Sequence, residues 1–166
     1  MGLEITVSPL VESVIASILE IEKDSQPEPW THKAFVEEID RVNSRMLVAR
    51  VVTGPAAGSP YQEIAGYICF WLVAGEIQIL NIAVHKALRR QGIARKLIEL
   101  AIRTAREENA RYITLEVRKS NLAAWKLYET FGFRVIGERP NYYGEHKESA
   151  ILMELEITGG EALAVD

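Results

Sequence analysis

The sequence holds one cysteine, Cys69, in 166 residues, so it can form no intrachain disulfide and no cysteine cage for zinc. Placed inside an apolar run, that thiol is expected to be buried and inert. Basic residues are also short. Lys and Arg number 19 against 23 Asp and Glu, for a formal net charge of −4. Nonspecific nucleic-acid binding requires a surplus of cations to neutralise phosphates, so the balance argues against it and suits a cationic substrate instead. Long hydrophobic runs are missing too. The longest, near 64–74, is broken by Gly66 and falls well short of the roughly 20 residues that cross a bilayer, so no membrane partner is expected. The opening MGLEITVSPL has neither the basic start nor the apolar core of an export signal, and the cytoplasm is the expected location. There is no internal repeat, low-complexity tract or interdomain linker. No cluster of His, Cys and Asp suggests a metal, and no Ser or Cys triad is visible.

What is present suits one globular domain over 1–157, with a tail at 158–166 that has little to pack and is expected to be mobile. Residues 3–7 alternate as a short strand. Val11, Val14, Ile15, Ile18 and Leu19 then recur at helical spacing. Gln26-Pro27-Glu28-Pro29-Trp30 breaks that helix, and Thr31 is placed to cap a second one bearing Phe35, Val36 and Ile39. Strands follow at 46–52 and 63–73, separated by a long segment, 53–62, whose Gly and Pro predict an exposed loop. A turn at Ala74-Gly75 leads to a strand at 76–84. A helix at 92–109 comes next, with Ile93, Leu97, Ile98, Ala101 and Ala105 on one face, and then a strand at 112–117. Strand, helix and strand in this succession predict a βαβ unit with parallel neighbours. A helix at 121–130 stops at Gly132. Strands at 133–137 and 149–157 complete an α/β (α+β) chain.

The most informative segment runs from Asn81-Ile82-Ala83-Val84-His85 into Arg89-Arg90-Gln91-Gly92-Ile93-Ala94-Arg95. A strand passes through a basic turn into the start of a long helix. The first amides of a helix lack intrahelical partners and sit at the positive end of its dipole, so they attract phosphate. Gly92 and Ala94 admit a close backbone approach, while Arg89, Arg90 and Arg95 add charge. Ordinary capping of a solvated turn would read the same way from this fragment alone.

The pattern Arg89-x-x-Gly92-x-Ala94 resembles the pyrophosphate-binding motif of the GNAT acetyltransferases. Downstream, Asn121-x-x-Ala124-x-x-Leu127-Tyr128-x-x-x-Gly132-Phe133 resembles their second signature, in the right order and at the right distance. The likeness covers almost the whole chain. Asn81-Ile82-Ala83-Val84, Leu115-Glu116-Val117-Arg118, Ser120-Asn121 and Asn141-Tyr142-Tyr143, with Pro29-Trp30, are similar to the bacterial Rim-type enzymes that acetylate the N-terminal alanine of a ribosomal protein. Two departures are the long 53–62 segment and Ala94 where many relatives have glycine.

The resemblance implies a GNAT fold: a mixed, mostly antiparallel sheet with one parallel pair and helices on both faces. It implies acetyl-CoA as cosubstrate, no metal, and a protein N-terminus as acceptor. It also implies roles. Ile82, Ala83 and Val84 would hold the pantetheine arm by their main chain, as an added strand would be held. Arg89 to Arg95 (Arg89, Arg90, Gln91, Gly92, Ile93, Ala94, Arg95) would hold the pyrophosphate. Glu116 would be the general base and Tyr128 the proton donor to the leaving thiolate. Asn121 would bond the pantetheine, and Tyr142 and Tyr143, placed in a loop before the last strand, would contact the peptide. Each residue also has a plain structural reading: core strand for 82–84, surface carboxylate for Glu116, core aromatic for Tyr128, N-cap for Asn121, surface aromatics for the tyrosine pair. Transfer to a small amine or a lysine side chain, a noncatalytic coenzyme A-binding module, and a dinucleotide-binding domain are the competing readings. The last lacks the full glycine fingerprint.

Overall fold

The computed structural model describes residues 3–53, 61–143 and 148–157. Strand β1 (Ile5–Pro9) and a short 3-10 turn at Glu12–Val14 lead into helix α1 (Ile15–Ser25). The helix starts four residues later than the apolar spacing suggests. Val11 is extended (φ −118°, ψ 159°) and half-exposed, and the buried face is made by Ile15, Ile18, Ile21 and Glu22. Helix α2 (His32–Ile39) begins as expected, with Thr31 Oγ1 accepting the Ala34 amide at 3.1 Å.

Strands β2 (Ser44–Thr53), β3 (Tyr61–Val73) and β4 (Glu76–Val84) follow. Most of the expected 53–62 loop lies outside the described residues. β3 and β4 are joined through Ala74 (φ 52°) and Gly75 (φ 78°). Two successive positive φ values are what a tight hairpin needs for its twist to match that of the strands.

Helix α3 (Ile93–Glu107), strand β5 (Tyr112–Arg118), helix α4 (Leu122–Thr130) and strands β6 (Arg134–Tyr143) and β7 (Glu148–Glu156) complete the described chain. All five expected face residues of α3 are buried. The helix ends two residues early because Asn109 adopts a left-handed conformation (φ 55°), a common helix stop. The tail at 158–166 lies outside the described residues.

The seven strands are ordered β1-β2-β3-β4-β5-β7-β6. β1 and β2 are antiparallel, as are β5 with β7 and β6 with β7, while β4 and β5 form the parallel pair expected of a βαβ unit. One expectation fails at β6. Tyr142 and Tyr143 do not sit in a loop; they end a strand that runs on to Tyr143. Pro140 suggests a break, but β6 is at the sheet edge, where a missing N–H is tolerated. Asn141 (φ 55°) and a register shift between Arg139 and Tyr143 absorb the irregularity.

The chain divides into two compact units: Met1–Phe70 with Asn81–Glu99, and Trp71–Leu80 with Leu100–Asp166. In the first, Phe35 is fully buried, with its ring 5.2 Å from Trp30 and 5.5 Å from Tyr67. In the second, Ile77, Ile113, Leu115, Phe133 and Met153 are buried. Cys69 is fully buried, with Ser44 Oγ 3.7 Å from its sulfur, and burial pushes its thiol pKa up to about 12. Because the thiolate is the reactive species, folded protein should resist iodoacetamide at neutral pH and be alkylated once in denaturant. Stoichiometric labelling of the native chain, read by mass spectrometry, would contradict this.

Candidate functional site

In the first unit the site segment begins on β4. Its side chains alternate, with Asn81 and Ala83 buried and Ile82 and Val84 half-buried. One edge of this segment faces β3. The His85 amide donates to the Ala65 carbonyl at 2.7 Å, and a Cβ added to Gly66 would lie 2.6 Å from the Ala83 carbonyl oxygen. Since successive residues direct their main-chain groups to opposite edges, the amides of Ile82 and Val84 turn away from β3. The Val84 carbonyl accepts from Arg89 Nε at 3.2 Å.

The turn after β4 is built from local bonds. His85 Nδ1 accepts the Ala87 amide at 3.1 Å and so caps a 3-10 turn at Lys86–Leu88. Arg90 (φ 62°) and Gly92 (φ 86°) are both left-handed. Such alternation curls successive amides into an anion-binding concavity. Helix α3 then opens with Lys96 N–H donating to Gly92 O at 3.0 Å. The amides of Ile93, Ala94 and Arg95 therefore precede the first intrahelical bond. A Cβ on Gly92 would meet nothing within 4 Å, so this glycine leaves open room at the helix mouth. Gln91 is exposed and Ala94 half-buried. Arg89 is spoken for as well as charged: besides Val84 O, its Nη2 reaches Ser25 Oγ at 3.3 Å. The donor set and the room fit a diphosphate.

A buried carboxylate in the same unit escapes the sequence reading. Glu22, on α1, has no exposed surface. It accepts from the Tyr67 hydroxyl, from Asn81 Nδ2 at 3.0 Å to each oxygen and from the Trp30 amide at 3.1 Å. Gln26 Nε2 in turn donates to Asn81 Oδ1 at 3.1 Å. Burial holds the Glu22 carboxyl above the usual range, partly offset by the Trp30 amide and Asn81. A carboxylate with this little solvent needs such donors. Its signal in the sequence was its spacing, seven residues after Ile15 and four after Ile18, on the apolar face.

In the second unit β5 alternates as expected, with Leu115 and Val117 buried and Glu116 on the other face. Glu116 is partly exposed (29% of its side chain), and its Oε1 lies 3.4 Å from Arg139 Nε. The Arg139 guanidinium lies 5.5 Å from the centre of the Tyr142 ring. Arg139, which sequence reasoning missed, thus links two residues it had singled out. Tyr128 is buried, with its ring 5.7 Å from that of Phe133. Asn121 is the N-cap of α4, its Oδ1 accepting the Ala124 amide at 3.2 Å. The turn ahead of it is tied to β7, where Glu148 accepts the Ser120 amide at 2.7 Å and lies 3.5 Å from Arg118. The side chain of Tyr143 lies outside the described residues. Among the described residues no group of three or more His, Cys, Asp and Glu could hold a metal ion, and no helix is long and apolar enough to cross a membrane.

Comparison with known proteins places this geometry. The profile described as "Acetyltransferase (GNAT) family" matches residues 15–133. The putative ribosomal protein bS18-alanine N-acetyltransferase of Bacillus subtilis is 34% identical over 144 residues, which are 86% of this chain and 89% of that one. The ribosomal protein bS18-alanine N-acetyltransferase of Escherichia coli K12 is 31% identical over 155 residues, 92% of this chain and 98% of that one. The crystal structure of the Escherichia coli ribosomal-protein-S18-alanine N-acetyltransferase superposes with a TM-score of 0.79 at 30% identity, covering 98% of this chain and all of that one (100%). The phosphate-receptive turn, the parallel β4–β5 pair and these likenesses agree, and the chain belongs to the GNAT family of acetyltransferases, enzymes that draw their acetyl group from acetyl-CoA.

Proposed function

We propose that this acetyltransferase modifies the α-amino group of a protein N-terminus, and that its acceptor is the N-terminal alanine of a ribosomal protein. The observation that carries the reading is similarity along nearly the whole chain to two enzymes named for that reaction. The base demand is consistent with it. An α-amino group of pKa about 8 is roughly one-tenth neutral at pH 7, whereas a lysine near 10.4 is neutral at about a few parts in ten thousand. A single carboxylate such as Glu116 is enough for the first.

Acetyl-CoA supplies the activated thioester. The residues of the first unit hold it. The Arg90–Gly92 turn and the amides of Ile93, Ala94 and Arg95 receive the pyrophosphate, with Arg90 and Arg95 adding charge and Arg89 bracing the turn onto Val84. The main chain of Ile82 and Val84 takes the pantetheine arm along the edge turned from β3, and Ala83 contributes by packing. The Val84 amide donates to the thioester oxygen as that atom gains charge.

Glu116 and Tyr128 handle the protons. Glu116 accepts the ammonium proton, directly or through a water, so that the neutral amine attacks the thioester carbon. Tyr128 protonates the departing thiolate. Tyr142, with Tyr143, contacts the peptide, and Asn121 adds a bond to the pantetheine beyond its capping one.

A peptide panel tests this. Alanine-initiated peptides should be acetylated with kcat/KM at least about tenfold above lysine peptides with blocked termini and above polyamines, well within the ratio of about 200 that the neutral-amine fractions imply. Preference for a lysine or a polyamine would replace the acceptor assignment. Absence of thioester consumption with every amine would point to a coenzyme A-binding module instead.

A further inference from the structure

We propose that Glu22 is a positioning residue for acetyl transfer, acting through Asn81 to hold the main chain of Ile82–Val84 where the thioester must lie. The inference rests on the acetyltransferase reading above and deepens it. The hydrogen-bond partners of the Glu22 carboxylate among the described residues, Trp30, Tyr67 and Asn81, are not residues given a chemical role. It sits at the centre of a network whose members come from α1, the segment before α2, β3 and β4.

The position of Asn81 is the first reason. It is the polar residue on the buried face of β4, one residue ahead of Ile82, in a strand whose other buried side chains are Ile77, Ile79 and Ala83. Its amide is fully employed, with Nδ2 on Glu22 and Oδ1 on Gln26. Both of those residues belong to the end of α1, so the rotation of β4 at Asn81 is set by that helix end. The far end of the same segment is held there too. Ser25 Oγ accepts from Arg89 Nη2 at 3.3 Å, and Asp24 lies 3.7 Å from Lys86 Nζ. The stretch 81–89 is thus tied at both ends to residues 22–26.

The choice of a carboxylate is the second reason. For stability alone, an apolar side chain of similar volume serves as well as a buried charge or better. A carboxylate accepts several donors from fixed directions at once and so imposes one register on the strands that supply them. Register matters here because a misplacement of about 1 Å at a reacting centre can cost about 100-fold in rate. Affinity for coenzyme A draws mainly on the pyrophosphate turn and should be less affected.

The test compares Glu22→Met, Glu22→Gln and Tyr67→Phe by steady-state kinetics on an alanine-initiated peptide, by calorimetric titration with coenzyme A and by thermal melting. Glu22→Met should lower kcat at least about tenfold with the coenzyme A Kd within about threefold of wild type. Glu22→Gln keeps an oxygen for Asn81 and Trp30 and should recover most of the rate. Tyr67→Phe removes one donor and keeps the aromatic packing, so it gives a smaller fall in kcat in a chain that folds even if Glu22→Met does not. Wild-type kcat in Glu22→Met or, should that variant not fold, in Tyr67→Phe overturns the proposal. So does a parallel fall of kcat, coenzyme A affinity and melting temperature without rescue by Glu22→Gln, which marks a purely structural brace. A wild-type protein that transfers acetyl to no amine removes the underlying acetyltransferase reading, and this inference with it. An active wild type beside an equally active Glu22→Met removes this inference alone.

Discussion

Glu116→Gln should lower kcat on an alanine-initiated peptide by about 100-fold or more, the scale on which a positioned general base contributes, while coenzyme A binds as in wild type. The substitution keeps the size of the side chain and removes only its ability to take a proton. Glu116 is partly exposed and paired with Arg139 at 3.4 Å, so its loss leaves no buried charge and little cost in stability is expected. Surface pairs of this kind contribute less than about 1 kcal/mol. Tyr128→Phe should also slow turnover, with the ring still packed 5.7 Å from Phe133. Because the roles proposed for the two residues lie at opposite ends of the reaction, on the entering amine and on the leaving thiolate, the double variant should be slower than either. Steady-state rates with calorimetric coenzyme A titration decide the matter. Unchanged kcat in both single variants would remove the assignment of base and acid.

Gly66→Ala should damage stability and activity together. The added methyl would sit 2.6 Å from the Ala83 carbonyl oxygen and 3.3 Å from Val84 Cα. Both are main-chain atoms, so no rotamer change relieves the clash, and β3 and β4 must move apart. Overpacking of this kind costs about 1–3 kcal/mol, to be read from denaturant unfolding. The part of β4 that must yield is also the part proposed to hold the thioester, so kcat should fall by about 100-fold. Gly75→Ala is the control. Its Cβ meets nothing within 4 Å, and although its positive φ (78°) makes alanine costly by about 1–2 kcal/mol, kcat should stay near wild type. Equal activity in Gly66→Ala and wild type would show that β4 tolerates displacement at Ala83.

Features governed by near neighbours were legible beforehand. The caps at Thr31 and Asn121 depend on an amide three residues on. The alternation of β5, with Glu116 opposite Leu115 and Val117, follows from the pleat alone. The turn at Arg89–Gly92 reads from its own residues as ordinary capping just as well as a phosphate site, and only the second signature at Asn121–Phe133 separates the two readings. The expected start of α1 at Val11 was wrong because helical spacing says nothing of where the chain first turns inward. Pro140 reads as a break, with Tyr142 and Tyr143 in a loop beyond it, unless β6 is known to be an edge.

The sequence by itself determined the succession of strands and helices, the family, and which residues lie on the strand, turn and helix proposed to meet acetyl-CoA, because each rests on side chains a few positions apart. Only the tertiary structure decided that β7 lies between β5 and β6, that Arg139 reaches Glu116, and that Glu22 is buried. The side-chain donors to Glu22 stand 45 and 59 residues away at Tyr67 and Asn81. A carboxylate's environment is made by whatever the fold brings to it, and no local pattern encodes donors that distant.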